Sequence, residues 1–216
     1  MENQFIKKAS ILILIGSLTL CLAAFILRPE VSSNSLQPKS SKKINLVDLQ
    51  NKVRVGDWVV REGTGYESAL IKKLSQSQYS HIGIISQVSP DIQIIHATTD
   101  DLEYQKDQVI KTNFEHFTDQ SRAHSWAIIR LSLLSSDEHE QIVAKIKSDL
   151  GKPFVLDIKQ QPHLYCTTLI AEKLPLLVQN QLQWGRIEIP GLKGEILFPV
   201  ALMDLHDSHI IMTSTE

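Results

Sequence analysis

Residues 79–87 read Tyr79-Ser80-His81-Ile82-Gly83-Ile84-Ile85-Ser86-Gln87, and the reading of this stretch decides the fold. From Ile82 onward the run is apolar on both faces, the pattern of a strand covered from both sides, with a glycine between the isoleucines. Such a strand has no structural need for a leading imidazole. His81 is either a surface histidine at a strand end or a group placed for chemistry, and spacing alone does not choose. A second run, Ile92 to Ala97 (IQIIHA), follows a turn near Ser89-Pro90-Asp91, so the two runs are expected to form a hairpin. On a hairpin, His96 can face His81 and hold it in one tautomer and orientation, the part played by the third member of a nucleophile-base-orienter set. The plainer alternative is a partly buried strand histidine satisfied by backbone.

Outward from this pair, β-rich runs recur at Asp57 to Arg61 (DWVVR), Trp126 to Leu131 (WAIIRL) and Ile187 to Ile189. Together they predict one small antiparallel sheet. Helical patterns cover Tyr66 to Leu74, Ser136 to Leu150 and Tyr165 to Leu174, the last stopped by Pro175. The second has Ser135 and Glu138 at capping-box spacing and Ile142, Val143, Ile146 and Leu150 on one face, with Gly151 and Pro153 as its stop. Strands and helices in unequal blocks predict an α+β domain, an antiparallel sheet packed against helices. Gly56 and Asp57 read as a structural turn before the first strand. The polar segment Thr98 to Gln120 has no clear period and reads as a lid or substrate loop.

Cys166 lies at the start of the third helix, in His163-Leu164-Tyr165-Cys166-Thr167-Thr168. Unpaired N–H groups and the positive end of the helix dipole favour a thiolate there, which a cysteine nucleophile requires. Otherwise a cysteine in a buried helix is a small hydrophobe.

The 216 residues are 43% hydrophobic and 21% charged, with a net charge of -2, so a nucleic-acid partner is not expected. Lys7 and Lys8 precede an uncharged stretch from Ala9 to Leu27, closed by Arg28. Residues 1–28 therefore read as a membrane anchor or a cleaved signal peptide, since nineteen helical residues at about 1.5 Å each nearly span a roughly 30 Å hydrocarbon core. Residues 29–43 (PEVSSNSLQPKSSKK) read as a flexible linker, 44–212 as the folded domain and 213–216 as a tail. Cys21 belongs to the apolar run, so Cys166 is expected to be a free thiol. Eight histidines raise a metal site, but no HExxH or paired-cysteine spacing occurs, and neither metal nor cofactor is expected. His116, His124, His139, His163, His206 and His209 read as solvated loop or helix-face residues, with His163 near enough in sequence to modulate Cys166.

The order GDWVVREGTG, YSHIGIISQ, IIHA, LGKPF and YCTTLIAEKL resembles the circularly permuted papain-like cysteine hydrolases, in particular the YiiX/YebB-type branch related to NlpC-type cell-wall amidases. The resemblance runs from Val55 to about Asp204 and includes ILFPVALMD, similar to the family's closing strand and proline. It implies a papain-like fold with Cys166 as nucleophile, His81 as general base and His96 as the polar third residue. That last place is often acidic in relatives, while an acyltransferase branch uses a second histidine. Thr167 and Thr168 depart from the more usual Ser and Glu. The implied state is a Cys166 thiolate paired with His81 near neutral pH, with backbone N–H groups at the helix start steadying an oxyanion. The implied function is an exported or membrane-tethered amidase or peptidase acting on peptidoglycan-type peptides, lipid-linked ones included, with the membrane as partner through residues 1–28. A lipid-directed thiol acyltransferase or esterase and a non-catalytic envelope binding protein are the alternatives.

Overall fold

A computed structural model describes residues 45–214; the apolar segment 1–28 with Cys21, the linker 29–43 and residues 215–216 lie outside the described residues. The chain opens with helix α1 (Leu46–Lys52), capped by the Asn45 side chain, then strand β1 (Trp58–Gly63), helix α2 (Tyr66–Ser75) and strands β2 (His81–Gln87), β3 (Gln93–Thr98) and β4 (Gln108–Asn113). A short helix α3 (Phe114–Phe117), strand β5 (Ala123–Leu131), helix α4 (Ser136–Lys147) and helix α5 (Cys166–Ala171) follow. The last elements are helix α6 (Leu176–Gln179), the hairpin β6 (Gly185–Ile189) and β7 (Leu192–Ile196), helix α7 (Val200–Met203) and strand β8 (Ser208–Thr213).

Six strands form one antiparallel sheet in the order β4-β3-β2-β1-β5-β8, so the first four are a meander and β1 lies inside the sheet. Alternation along the strands sends Val60, Ile82, Ile84, Ile95 and Ile129 to one apolar cluster with Ile142, Val143 and Ile146 of α4 and Leu169 and Ile170 of α5. Val59, Ile85, Ile94 and Ile128 go to a second cluster with Leu49 of α1 and Phe114 and Phe117 of α3. Helices thus cover both faces, which is why the β2 sequence is apolar on both. Burying one such isoleucine contributes about 1.5–3 kcal/mol, and truncating Ile84 to Ala costs roughly 2–5 kcal/mol through the cavity it leaves.

Several boundaries differ from the sequence reading. The segment 98–120 is not a loop throughout: it holds the edge strand β4, whose Val109, Ile110 and Thr112 are buried, and α3. Ile187 to Ile189 lie outside the main sheet, in a separate hairpin where Ile187 pairs with Gly194. ILFPVALMD is not a closing strand, since Ile196 ends β7 and Val200–Met203 are helical; β8 closes the sheet instead and reaches Thr213. Helix α4 has both halves of its Ser135–Glu138 capping box but ends at Lys147, leaving Leu150 40% exposed. His139 is buried rather than solvated, with Nε2 3.1 Å from Leu131 O. A Cβ at Gly56 would stand 2.5 Å from the His139 Cβ and the backbone there has φ +92°, so the turn admits only glycine without strain. Asp57 behind it is buried and takes Arg130 Nε and Nη2 at 2.8 and 2.7 Å.

Candidate active site

The Ile84–Ile95 pairing of β2 with β3, continued by one residue, sets His96 across from Gly83. Diagonal neighbours on one face are within reach of ring side chains, and His81 Nε2 lies 2.9 Å from His96 Nδ1, the rings edge to face. Gly83 keeps the crossing open. A Cβ at that residue would stand 2.5 Å from Ile94 Cγ2 and 3.2 Å from both His96 Cβ and Phe117 Cε2. His96 is fully buried, edge-on to Phe117, and its Nε2 is 3.2 Å from Thr112 Oγ1 and 3.7 Å from Asp101 Oδ2. The structure therefore joins two of the three residues singled out in the sequence.

Two charged groups complete this cluster, and the sequence reading missed both. Arg61 sits opposite His81 on β1, buried, donating from Nη2 to Asp101 Oδ1 at 2.8 Å and from Nη1 to Phe117 O at 3.1 Å. Its guanidinium lies 4.7 Å from the Phe117 ring centroid. Burial alone raises the Asp101 pKa, but the Arg61 hydrogen bond and charge outweigh it and hold the carboxyl well below the usual range. Burial, then the Arg61 charge, lowers the His81 pKa well below its ordinary value; burial lowers that of His96 to about 3, against the pull of Asp101. Both rings are neutral near pH 7.

Cys166 opens α5 from a different part of the chain. Its turn is tied by the Thr168 hydroxyl, which accepts the Tyr165 N–H at 3.0 Å, and by Tyr165 Oη, which accepts the Leu197 N–H at 2.7 Å. The sulfur is buried, 3.6 Å from Thr167 Oγ1, and receives the Ile82 N–H. Burial pushes its pKa up, and those contacts with the Arg61 charge only partly offset this. Burial thus opposes the thiolate expected at this helix start. No hydrogen bond joins Cys166 to His81 among the described residues. Alternation explains the gap, since Cys166 packs with Ile82 and Ile84 in the first cluster whereas Gly83 and Ile85 share the face of His81. Both residues line one cavity, at the end of β2 where its ladder with β3 stops. His163 is turned elsewhere, with Nε2 3.2 Å from Glu172.

This cavity of about 380 Å³ is walled by Leu70, Ile71 and Leu74 of α2, Phe154, Leu156 and the β6–β7 isoleucines and leucines, with Arg61, Glu67, Asp100 and Asp101 as its charged groups. Helix α2 buries none of its residues; Leu70, Ile71 and Leu74, each half-buried, face the cavity, the last two also packing on the first cluster. A second cavity of about 370 Å³ is lined by Arg54, Asp57, Arg130, Ser132, Ser136 and His139 and contains no cysteine. One further chemical option exists: ligand atoms of His81, His96 and Asp101 all lie within 4.8 Å of one another.

Known proteins bear on the fold alone. No family model matches the chain, and no curated protein matches it. Among solved structures, the crystal structure of the metalloprotein yiiX from Escherichia coli O157:H7 aligns with TM-score 0.59 and 15% identity, covering 74% of this chain and 97% of that one. The chain has a YiiX-like fold.

Proposed function

We propose that the chain is a papain-like thiol hydrolase or acyltransferase in which Cys166 attacks the carbonyl of an ester or amide carrying an apolar acyl group. The observation that carries this reading is the composition of the cavity that His81 and Cys166 share, walled mainly by aliphatic and aromatic side chains. Its only cation, Arg61, is committed to Asp101 and Phe117 O, and Glu67 and Asp100 add negative charge. Three carboxylates against one guanidinium leave the lining net negative, so a carboxylate-rich peptidoglycan peptide would meet repulsion here. Among the substrates that the family resemblance suggests, the lipid-directed one suits these walls better.

The chemistry is general-base attack rather than a preformed ion pair. Nε2 of His81 is committed to His96, leaving Nδ1 as the ring nitrogen for catalysis. Nδ1 takes the Cys166 proton as sulfur bonds to the carbonyl carbon, an alignment that tightens only with substrate bound. The Cys166 N–H, without a partner inside the first helical turn, donates to the oxyanion. His81 returns the proton to the leaving oxygen or nitrogen, and water or a second acceptor releases the acyl group from sulfur. An N-terminal anchor in residues 1–28 would hold the domain beside its lipid source.

A metal-dependent reading is prompted by the neighbour's description as a metalloprotein and by the His81, His96 and Asp101 cluster. These residues do not fit a divalent ion. Asp101 is the only anion of the set and is already neutralised by buried Arg61, so the ion would add two uncompensated charges beside a guanidinium. Zinc titration with metal analysis of the protein is expected to give no stoichiometric binding.

The test is hydrolysis of p-nitrophenyl esters from acetyl to dodecanoyl, with Cys166→Ala alongside. Acyl-Cys166 detected by mass spectrometry, and kcat/KM rising about fourfold per methylene until the cavity is filled, support the reading. Cys166-dependent turnover that is flat with chain length refutes the acyl specificity. Absence of Cys166-dependent turnover on any ester or amide refutes the enzyme.

A further inference from the structure

The His81–His96 contact poses a question about a single proton. With both rings neutral, exactly one of His81 Nε2 and His96 Nδ1, 2.9 Å apart, carries the hydrogen. If Nε2 of His81 carries it, His81 Nδ1 has a lone pair and can take a proton from Cys166. If Nδ1 of His96 carries it, His81 holds its own proton on Nδ1 and is no base. The two arrangements also differ at the far nitrogen of His96, which is protonated in the first and bare in the second.

We propose that Asp101, clamped by Arg61, is a positioning residue that selects the first arrangement by facing His96 Nε2 with an acceptor-only carboxylate. This rests on the general-base reading above. Thr112 Oγ1, at 3.2 Å, is the direct partner of His96 Nε2, but a hydroxyl either donates or accepts and so does not choose. Asp101 does choose. Its Oδ1 is taken by Arg61, while Oδ2, buried and without a hydrogen-bond partner, stands 3.7 Å from His96 Nε2. A lone pair facing that oxygen is repelled and an N–H is attracted.

Arg61 acts on the same choice at one remove. By holding Asp101 ionised inside the protein, it removes the alternative of a protonated carboxyl that could donate to His96 Nε2. The carboxylate is also fixed from behind. His116 Nε2 and Arg122 Nη2 reach Asp101 O at 3.0 and 3.2 Å, tying the backbone of residue 101 down. When His81 becomes an imidazolium during attack, its Nε2–H remains donated to His96 Nδ1 and His96 Nε2–H remains directed toward Thr112 and Asp101, so no proton need move along the chain. The carboxylate then stabilises the developing positive charge through the intervening ring.

The test reads the tautomers directly, from nitrogen-15 NMR of histidine-labelled full-length chain in detergent micelles. Wild type is expected to show His96 protonated on Nε2 and His81 on Nε2. Asp101→Asn keeps the shape but can donate, and is expected to move both protons to Nδ1 and lower kcat by about 10⁴, the loss that a wrong tautomer brings in a serine-protease triad, with KM little changed. Asp101→Glu restores the wild-type tautomers and much of the rate, whereas Thr112→Val leaves the tautomers unchanged. A wild-type His96 protonated on Nδ1, or an Asp101→Asn protein that keeps the wild-type tautomers, overturns the proposal. If Asp101→Asn does not fold, the wild-type and Thr112→Val spectra still decide it. Because these spectra do not depend on turnover, failure of the enzyme reading on all esters is a separate result.

Discussion

Gly83→Ala is a small change that reaches the histidine pair without replacing either ring. The added methyl would stand 2.5 Å from Ile94 Cγ2 and 3.2 Å from His96 Cβ and Phe117 Cε2, all in buried residues. A carbon pair at 2.5 Å must separate by more than an ångström to reach the roughly 3.5–4.0 Å of ordinary contact, and a packed strand pair resists that. Overpacking of this kind costs about 1–3 kcal/mol, which for a domain of this size lowers Tm by roughly 2–12 °C. His96 is one of the groups that must give way, so the 2.9 Å contact to His81 loosens. Ester turnover is then expected to fall roughly 10- to 100-fold under conditions where the variant is fully folded. Thermal denaturation and steady-state kinetics on octanoyl ester make the comparison. Adding Ile94→Ala removes the closest clash, so the double variant should be more stable than the two single changes sum to by about 1 kcal/mol or more. A Gly83→Ala protein that melts within a degree of wild type and turns over within twofold of it would refute the packing argument.

Leu74→Asn on the cavity wall should lower kcat/KM for octanoyl ester about tenfold, as expected for one lost aliphatic contact, while leaving the acetyl ester within twofold; equal losses on both esters contradict the assignment of that wall. The His96 pKa in the folded chain, about 3, lies below the ordinary 6.5, so protonation favours unfolding. Its stabilising contribution is complete above about pH 6.5 and falls by about 1.4 kcal/mol per pH unit as acid is added toward pH 3, with His81 acting in the same direction. Urea midpoints should drop between pH 7 and 5, and His96→Gln should flatten that slope; a level wild-type profile counts against it. Asp57→Asn breaks the buried pair with Arg130 and should cost roughly 3 kcal/mol in urea unfolding without changing ester kinetics of the folded fraction.

The sequence exposed those features that repeat along the chain or announce an end. The β2 run had no polar residue between Ile82 and Ile85, and its strand begins at His81 as read; the Ser135–Glu138 box marked the start of α4. The expected pairing of His81 with His96 required only a hairpin and a shared face. Edge strand β4 was hidden because Gln-Val-Ile-Lys-Thr-Asn alternates for only a few residues, and β8 because its exposed Ile210 leaves no clean face. Asp101 could not have been told from Asp100 beside it: one is buried against Arg61 and the other exposed, a difference made wholly by tertiary structure. Arg61 did leave a sign, as an arginine on the continuation of the buried Val59 face.

The strand order bears on when the groups of the candidate site come together as the chain leaves the ribosome. Strands β1 to β4 pair with immediate neighbours, so the sheet segment carrying Arg61, His81, His96 and Thr112 can assemble while the sequence beyond residue 113 is still being made. The sulfur arrives later, on a short helix that packs against β2 and β3 from a distant part of the chain. On the proposed reading, an incomplete polypeptide would hold the His81–His96 pair with no thiol to act on. The same division holds for the finished molecule: undocking of α5 and its neighbours would take Cys166 out of the cavity while the meander stays paired, so in the proposed enzyme activity would be lost before the fold.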